Sequence, residues 1–255
     1  MKIRHIILIF FLLLIQVTPK VTWSNNSESI NKLIESAKQN DGVQSQIFLG
    51  LMYYSGNGVA LNYEEAMKYF RKAAEQGSAK AQFNIGVMYN KGKGGPQNYK
   101  EAAKWYLEAA KQGIDTAQLN IGNFYYQGLG VSQNYTEAMK WYLEAADQGI
   151  DLAQLNIGVM YHKGIGVPQN FTEALKWYRI AASKKNSDAL YNLGIMYAKA
   201  EGVSKDYLQA HKWLTLAANQ GNRLAEEYRD QIEVRMSSAQ RTKIQKLISR
   251  WSPTK

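Results

Sequence analysis

From residue 45 onward the chain alternates between two apolar patterns. One carries apolar residues at spacings of three and four, as in AQFNIGVMY from Ala81, and closes at a glycine pair, Gly92 and Gly94. The other runs through YKEAAKWYLEAAKQG from Tyr99 and stops at Gly113, a residue that takes positive φ at low cost and so ends a helix. Both patterns predict amphipathic helices. The loop between them is short and holds Gly, Pro and Asn, so the two helices must fold back on each other.

The hairpin returns every 36 residues without a gap, in units 45–80, 81–116, 117–152, 153–188 and 189–224. A fixed period of this length signals an array of stacked units. Shifting Glu64–Lys80 back by 36 lands on Glu28–Gln44, so residues 25–44 are expected to form half a unit that caps the array.

The stretch QNYTEAMKWY from Gln133, nearly repeated from Gln97 and Gln169, marks where each second helix starts. Asn62, Asn98, Asn134, Asn170 and Asp206 stand at the cap, and Glu65, Glu101, Glu137, Glu173 and Gln209 follow three residues later. That spacing predicts a capping box, in which each side chain takes a backbone N–H of the other's residue. Asn134 and Asn170 also fall in glycan-acceptor triplets, which the cap explains without any glycan. Gly50, Gly86, Gly122, Gly158 and Gly194 recur on the first helix and Ala66, Ala102, Ala138, Ala174 and Ala210 on the second, where two backbones can approach closely. The space beside them is expected to be filled by Tyr69, Trp105, Trp141, Trp177 and Trp213, with Tyr53, Tyr89, Tyr125, Tyr161 and Tyr197 opposite. An aromatic ladder at helical spacing is a core.

The combined pattern, A-x-x-x-L/I-G-x-x-Y-x-x-G-x-G-V and then N/D-Y-x-x-A-x-x-W-x-x-x-A-A-x-x-G, resembles the Sel1-like repeat, a relative of the tetratricopeptide repeat. The resemblance covers 45–224 fully and 28–44 in part. It implies an all-α, right-handed α/α solenoid that serves as a non-catalytic protein-binding scaffold, with members in eukaryotic endoplasmic reticulum adaptors and in exported bacterial proteins. Two positions depart from the pattern: Ala200 replaces a loop glycine and Lys185 a helix-ending one. Some relatives staple each unit with a disulfide, but this chain has no cysteine.

Composition changes the picture at the two ends. Lys2 and Arg4, the apolar run from Ile6 to Val17 and a polar stretch to Ser24 have the layout of a secretory signal over residues 1–24. That run is too short to span a bilayer, so the mature chain is expected to have no transmembrane segment and to be exported, periplasmic or secreted. Of the net charge of +10, three positive charges lie in 1–24 and six in 235–255, which leaves the body nearly neutral and unlike a nucleic-acid binder. Residues 225–255 read as basic closing helices, with Ile232, Met236, Ile244, Leu247, Ile248 and Trp251 turned inward. A contact of 235–255 with an anionic surface is the rival reading.

Candidate chemistry is thin. The Ser29–Lys32 pair matches S-x-x-K of β-lactam and peptidoglycan hydrolases, but no partner motif accompanies it. His211 reads as a packed side chain, and no second histidine or acidic cluster lies at metal spacing. No catalytic residue, cofactor or metal is therefore expected. Three functions remain: a scaffold holding a protein or peptide, an envelope hydrolase, and an envelope structural factor docking through its basic end. The first reading needs a surface. The third, seventh and tenth positions of each unit face away from the hairpin and should pave the inner groove. Tyr54, Phe83, Asn90, Asn123, Tyr126, His162 and Tyr191 are the expected contacts, with the tenth-position set foremost and His162 a candidate pH sensor.

Overall fold

The computed structural model describes residues 27–38 and 42–249. The expected signal at 1–24 and Trp251 of the tail lie outside these residues. Among the described residues every regular element is a helix: α1 (Ser27–Lys38), then five hairpins, then α12 (Arg223–Glu233) and α13 (Ser238–Ser249). The hairpins are α2 (Val43–Ser55) with α3 (Tyr63–Glu75), α4 (Ala79–Lys91) with α5 (Tyr99–Lys111), and α6 (Asp115–Gln127) with α7 (Tyr135–Asp147). They continue as α8 (Asp151–Lys163) with α9 (Phe171–Ser183) and α10 (Ser187–Lys199) with α11 (Tyr207–Asn219). From α1 to α12 each helix packs on the next, and α13 packs back on α11, which makes an α/α solenoid.

The first helices end where expected. Gly56, Gly92, Gly128 and Gly164 are left-handed, and Ala200 adopts the same conformation at φ 63 in the fifth unit. Lys185 does likewise at φ 65, where Gly77, Gly113, Gly149 and Gly221 stand in the other units. A Cβ in that region is strained, so the two departures read from the sequence are also the two strained backbones.

Second helices are capped as the sequence requires, but only half of the capping box forms. Asn62, Asn98, Asn134, Asn170 and Asp206 each accept from the N–H three residues on. The N–H of each cap goes elsewhere, to the carbonyl of Tyr53, Tyr89, Tyr125, Tyr161 or Tyr197 on the preceding helix. The hairpin geometry supplies that acceptor, so the glutamates are left on the surface. Glu65 and Glu101 pair there with Lys68 and Lys104. The bond between helices fixes the hairpin, which a bond within one helix could not do.

The ring that fills the glycine gap is one residue further on than expected. A Cβ on Gly86, Gly122 or Gly158 would lie 2.6–2.7 Å from a ring carbon of Tyr106, Tyr142 or Tyr178. Phe70 and Leu214 stand in the same place against Gly50 and Gly194. All five are fully buried, each contributing roughly 3 kcal/mol of apolar transfer. The tryptophans face the neighbouring unit instead. Trp105 packs on the core of α3 and α4, Trp141 on that of α5 and α6, and Trp177 on that of α7 and α8. Hairpins are thus closed by tyrosines and stacked by tryptophans.

α12, α13 and the turn between them lay Ile232, Met236 and Ile244 into the core of the last hairpin. No helix among the described residues is long and apolar enough to cross a membrane.

Candidate partner-binding face

The tenth positions, Tyr54, Asn90, Tyr126, His162 and Ala198, fall in the last turn of α2, α4, α6, α8 and α10. The glutamine of the recurring QN pair holds this turn. Gln97, Gln133 and Gln169 donate their side-chain amides to the carbonyls of Asn90, Tyr126 and His162 at 2.6, 2.9 and 2.8 Å. The ring at each tenth position meets edge-on the ring that opens the second helix: Tyr54 on Tyr63, Tyr126 on Tyr135 and His162 on Phe171, at 5.3–5.6 Å. All four larger tenth-position side chains remain half exposed. Burial pushes the phenols of Tyr54 and Tyr126 up from their ordinary pKa, so both stay neutral donors.

Beneath this row run the hydroxyls of the gap-filling tyrosines. Asn90 Nδ2 donates to Tyr106 Oη at 3.4 Å, Tyr142 Oη donates to Asn123 Oδ1 at 2.7 Å, and Tyr178 Oη lies 3.4 Å from His162 Nδ1. Burial raises the pKa of all three phenols strongly. The polar residues on this face therefore serve the fold as well as the surface.

Asn123 is corrected by this geometry. It is only 6% exposed, and its Oδ1 also accepts from Asn156 of the next unit at 3.3 Å, so it belongs to the interior. Most third and seventh positions are buried likewise: Ile47, Leu119 and Leu155, and Val87 and Ile195. Phe83 and Tyr191 are half-buried and pack partly into the cores of their units. Tyr54, Asn90, Tyr126 and His162 are half-buried as well, and they hold one position in four successive units.

Glu201 joins this row unannounced by the sequence reading. Its Oε2 lies 2.8 Å from His162 Nε2, which ties the fourth unit to the loop of the fifth. The sequence does carry a signal for it. Asn57, Lys93, Leu129 and Ile165 hold the same loop position, and only Glu201 is acidic. His211 is packed as expected, with Thr215 Oγ1 3.2 Å from Nδ1 and Glu233 3.6 Å from Nε2, and burial lowers its pKa. Among the described residues no three His, Asp or Glu side chains gather as metal ligands.

A sequence model of the family described as Sel1 repeat matches residues 43–78, 79–114, 115–150, 151–186 and 187–222. The chain belongs to the Sel1 repeat family. Each Sel1 match holds one observed hairpin and starts two residues ahead of the units read from the period, at the N-terminus of the first helix. The chain is 35% identical to a Sel1-like repeat protein of known structure, c5321, a protective antigen of uropathogenic Escherichia coli. The TM-score is 0.75, and the alignment covers 78% of this chain but only 42% of that one. It is 36% identical to a Sel1 repeat protein from Oxalobacter formigenes, with TM-score 0.69, covering 79% and 85% of the two chains. No match was found among curated proteins. Sel1 repeats generally mediate protein–protein interaction, and proteins built of them are typically non-enzymatic scaffolds.

Proposed function

We propose that this Sel1 repeat protein is an exported bacterial scaffold that grips a protein or peptide along the face of its first helices. One observation carries the reading. Tyr54, Asn90, Tyr126 and His162 repeat at one place in successive units, partly exposed, and the glutamines of the QN pairs hold the backbones of Asn90, Tyr126 and His162. A row of aromatic and amide groups at a fixed spacing offers an extended or helical partner one anchor per unit. Export is supported by the basic, apolar and polar order of residues 1–24 and by the likeness to a bacterial protective antigen.

The test is a pull-down with the protein as bait and identification of the partner by mass spectrometry. Capture is then repeated with Tyr54, Tyr126 and His162 replaced by alanine. Loss of that partner with unchanged helical circular dichroism is expected. Undiminished capture removes this face from consideration.

A further inference from the structure

The repeat series breaks after α11, and the break leaves a cavity. In the earlier units, the backbone of the residue that opens the second helix is covered by the glycine loop of the following unit. A Cβ on Gly94 would come within 3.0 Å of the Tyr63 carbonyl, and Cβ atoms on Gly130, Gly166 and Gly202 would lie 2.3–2.8 Å from Tyr99, Tyr135 and Phe171. Tyr207 is the fifth member of that series. Behind it α12 stops after 11 residues rather than 13, and Met236 and Ser238 stand where the glycine loop would come. The seat stays open as a cavity of about 260 Å³ lined by Ala198, Lys199, Lys205, Tyr207, Tyr228, Gln231, Ile232 and Arg235.

The lining has one sign of charge. Lys199, Lys205 and Arg235 contribute three cations, and no Asp or Glu lines the space. Arg235 Nη1 lies 3.5 Å from Tyr207 Oη, and Lys205 Nζ sits 5.4 Å from the centre of the same ring. Both cations lower the pKa of the Tyr207 phenol, Arg235 foremost, so the position already favours negative charge. The rings of Tyr207 and Tyr228 form an aromatic wall, Gln231 adds an amide, and Ala198 and Ile232 lie buried beneath them. Ala198 is the fifth tenth-position residue, so the cavity lies at the C-terminal end of that row.

We propose that this cavity binds the C-terminal residue of a peptide partner, its carboxylate on Lys199, Lys205 and Arg235 and its side chain against the ring of Tyr228. A chain terminus is the occupant that fits both the cations and the ring. It presents a carboxylate and a side chain from one Cα, whereas an acidic side chain presents the carboxylate alone and leaves the aromatic wall bare. The volume lies just under the usual range for small-molecule pockets, about 300–1,000 Å³, and suits a residue-sized group. The assignment extends the proposed binding face to its end, and the probes below occupy the cavity without spanning that face.

The test is titration of the 15N-labelled protein with acetyl-Gly-Phe bearing a free carboxylate, with its C-terminal amide, and with acetyl-Gly-Glu-amide. Saturable shifts of the backbone amides of Ala198, Lys205 to Tyr207 and Tyr228 to Arg235 are expected for the free acid. Binding should be roughly tenfold weaker or more for the Phe amide, which loses the charge-assisted hydrogen bonds, and for acetyl-Gly-Glu-amide, which keeps a carboxylate but loses the contact with the Tyr228 ring. Lys205→Ala and Arg235→Ala should each weaken the free acid to a similar degree, while Arg235→Lys keeps part of the affinity. Affinity should also fall as salt rises from about 0.05 to 0.5 M. Equal binding of acid and amide, or no effect of either alanine variant, overturns the assignment. Acetyl-Gly-Glu-amide binding as well as the free acid replaces a terminus by an acidic side chain. Inorganic phosphate displacing the acid at equal concentration replaces it by a free oxyanion. Since the Tyr54, Tyr126 and His162 triple variant leaves the cavity intact, its loss of partner with retained acetyl-Gly-Phe binding separates failure of one proposal from failure of the other.

Discussion

Gln154 shows how much one side chain can depend on a repeat. In the earlier units a buried glutamine of the first helix accepts from the glutamine just past the second: Gln76 to Gln46, Gln112 to Gln82 and Gln148 to Gln118, at 2.7–2.9 Å. Gln148 donates as well to the Gly113 carbonyl, at 3.0 Å, so it also bonds to the preceding unit. In the fourth unit the donor is replaced by Lys184, which reaches only the Gly149 carbonyl, and Gln154 Oε1 is left buried without a partner. An unpaired buried acceptor costs about 1–3 kcal/mol. Lys184→Gln restores the donor and keeps the bond to Gly149, so it should stabilise the protein by about 1–2 kcal/mol. A rise in the urea midpoint at constant slope is the expected reading. An unchanged midpoint would mean that the vacant acceptor costs nothing.

At the scale of the helix pair, the hairpin is closed by a glycine facing a ring. Tyr142 lies against Gly122 with its ring carbon 2.7 Å from where a Cβ would stand, and its hydroxyl is fixed by Asn123. Alanine is the better helix former by up to about 1 kcal/mol, but overpacking a fixed core costs about 1–3 kcal/mol. Gly122→Ala should therefore destabilise by roughly 1–2 kcal/mol net, against its helix propensity. Calorimetry showing a higher Tm for this variant would require the two helices to part without cost. Hairpins, their order and their caps were legible in the sequence because glycine, asparagine and apolar spacing are local signals. Which ring met the glycine was not. Trp141 and Tyr142 are adjacent and both large, and only the rotation of α7 against α6 decides which of them turns inward. The second half of the capping box was misread for a related reason. The competing acceptor, the carbonyl of Tyr125, lies on another helix and leaves no local trace.

Across the whole molecule, each unit touches its sequence neighbours, so stability should be a sum of units and interfaces rather than of one shared core. The same arrangement explains what was legible of the candidate site. A row with one residue per unit follows from the period, which brought out Tyr54, Asn90, Tyr126 and His162. Depth within the array does not follow from it, so Asn123 was placed at the surface although two hydrogen bonds hold it inside. The cavity behind Tyr207 exists only because the period ends, and a reading built on repetition passes over it. That end can be tested directly. α12, α13 and the turn between them bury Ala225, Ile232, Met236 and Ile244 against the last hairpin, and each of the three larger side chains contributes about 1.5–3 kcal/mol. Deleting residues 222–255 should strip hydrogen-exchange protection from α10 and α11 while α4 to α7 keep theirs, because loss at a terminal interface propagates only through neighbours. Uniform loss across all units would show that the array unfolds as one body. Full protection of α10 and α11 would show that the closing helices contribute no stability, leaving their cations as the reason they are there.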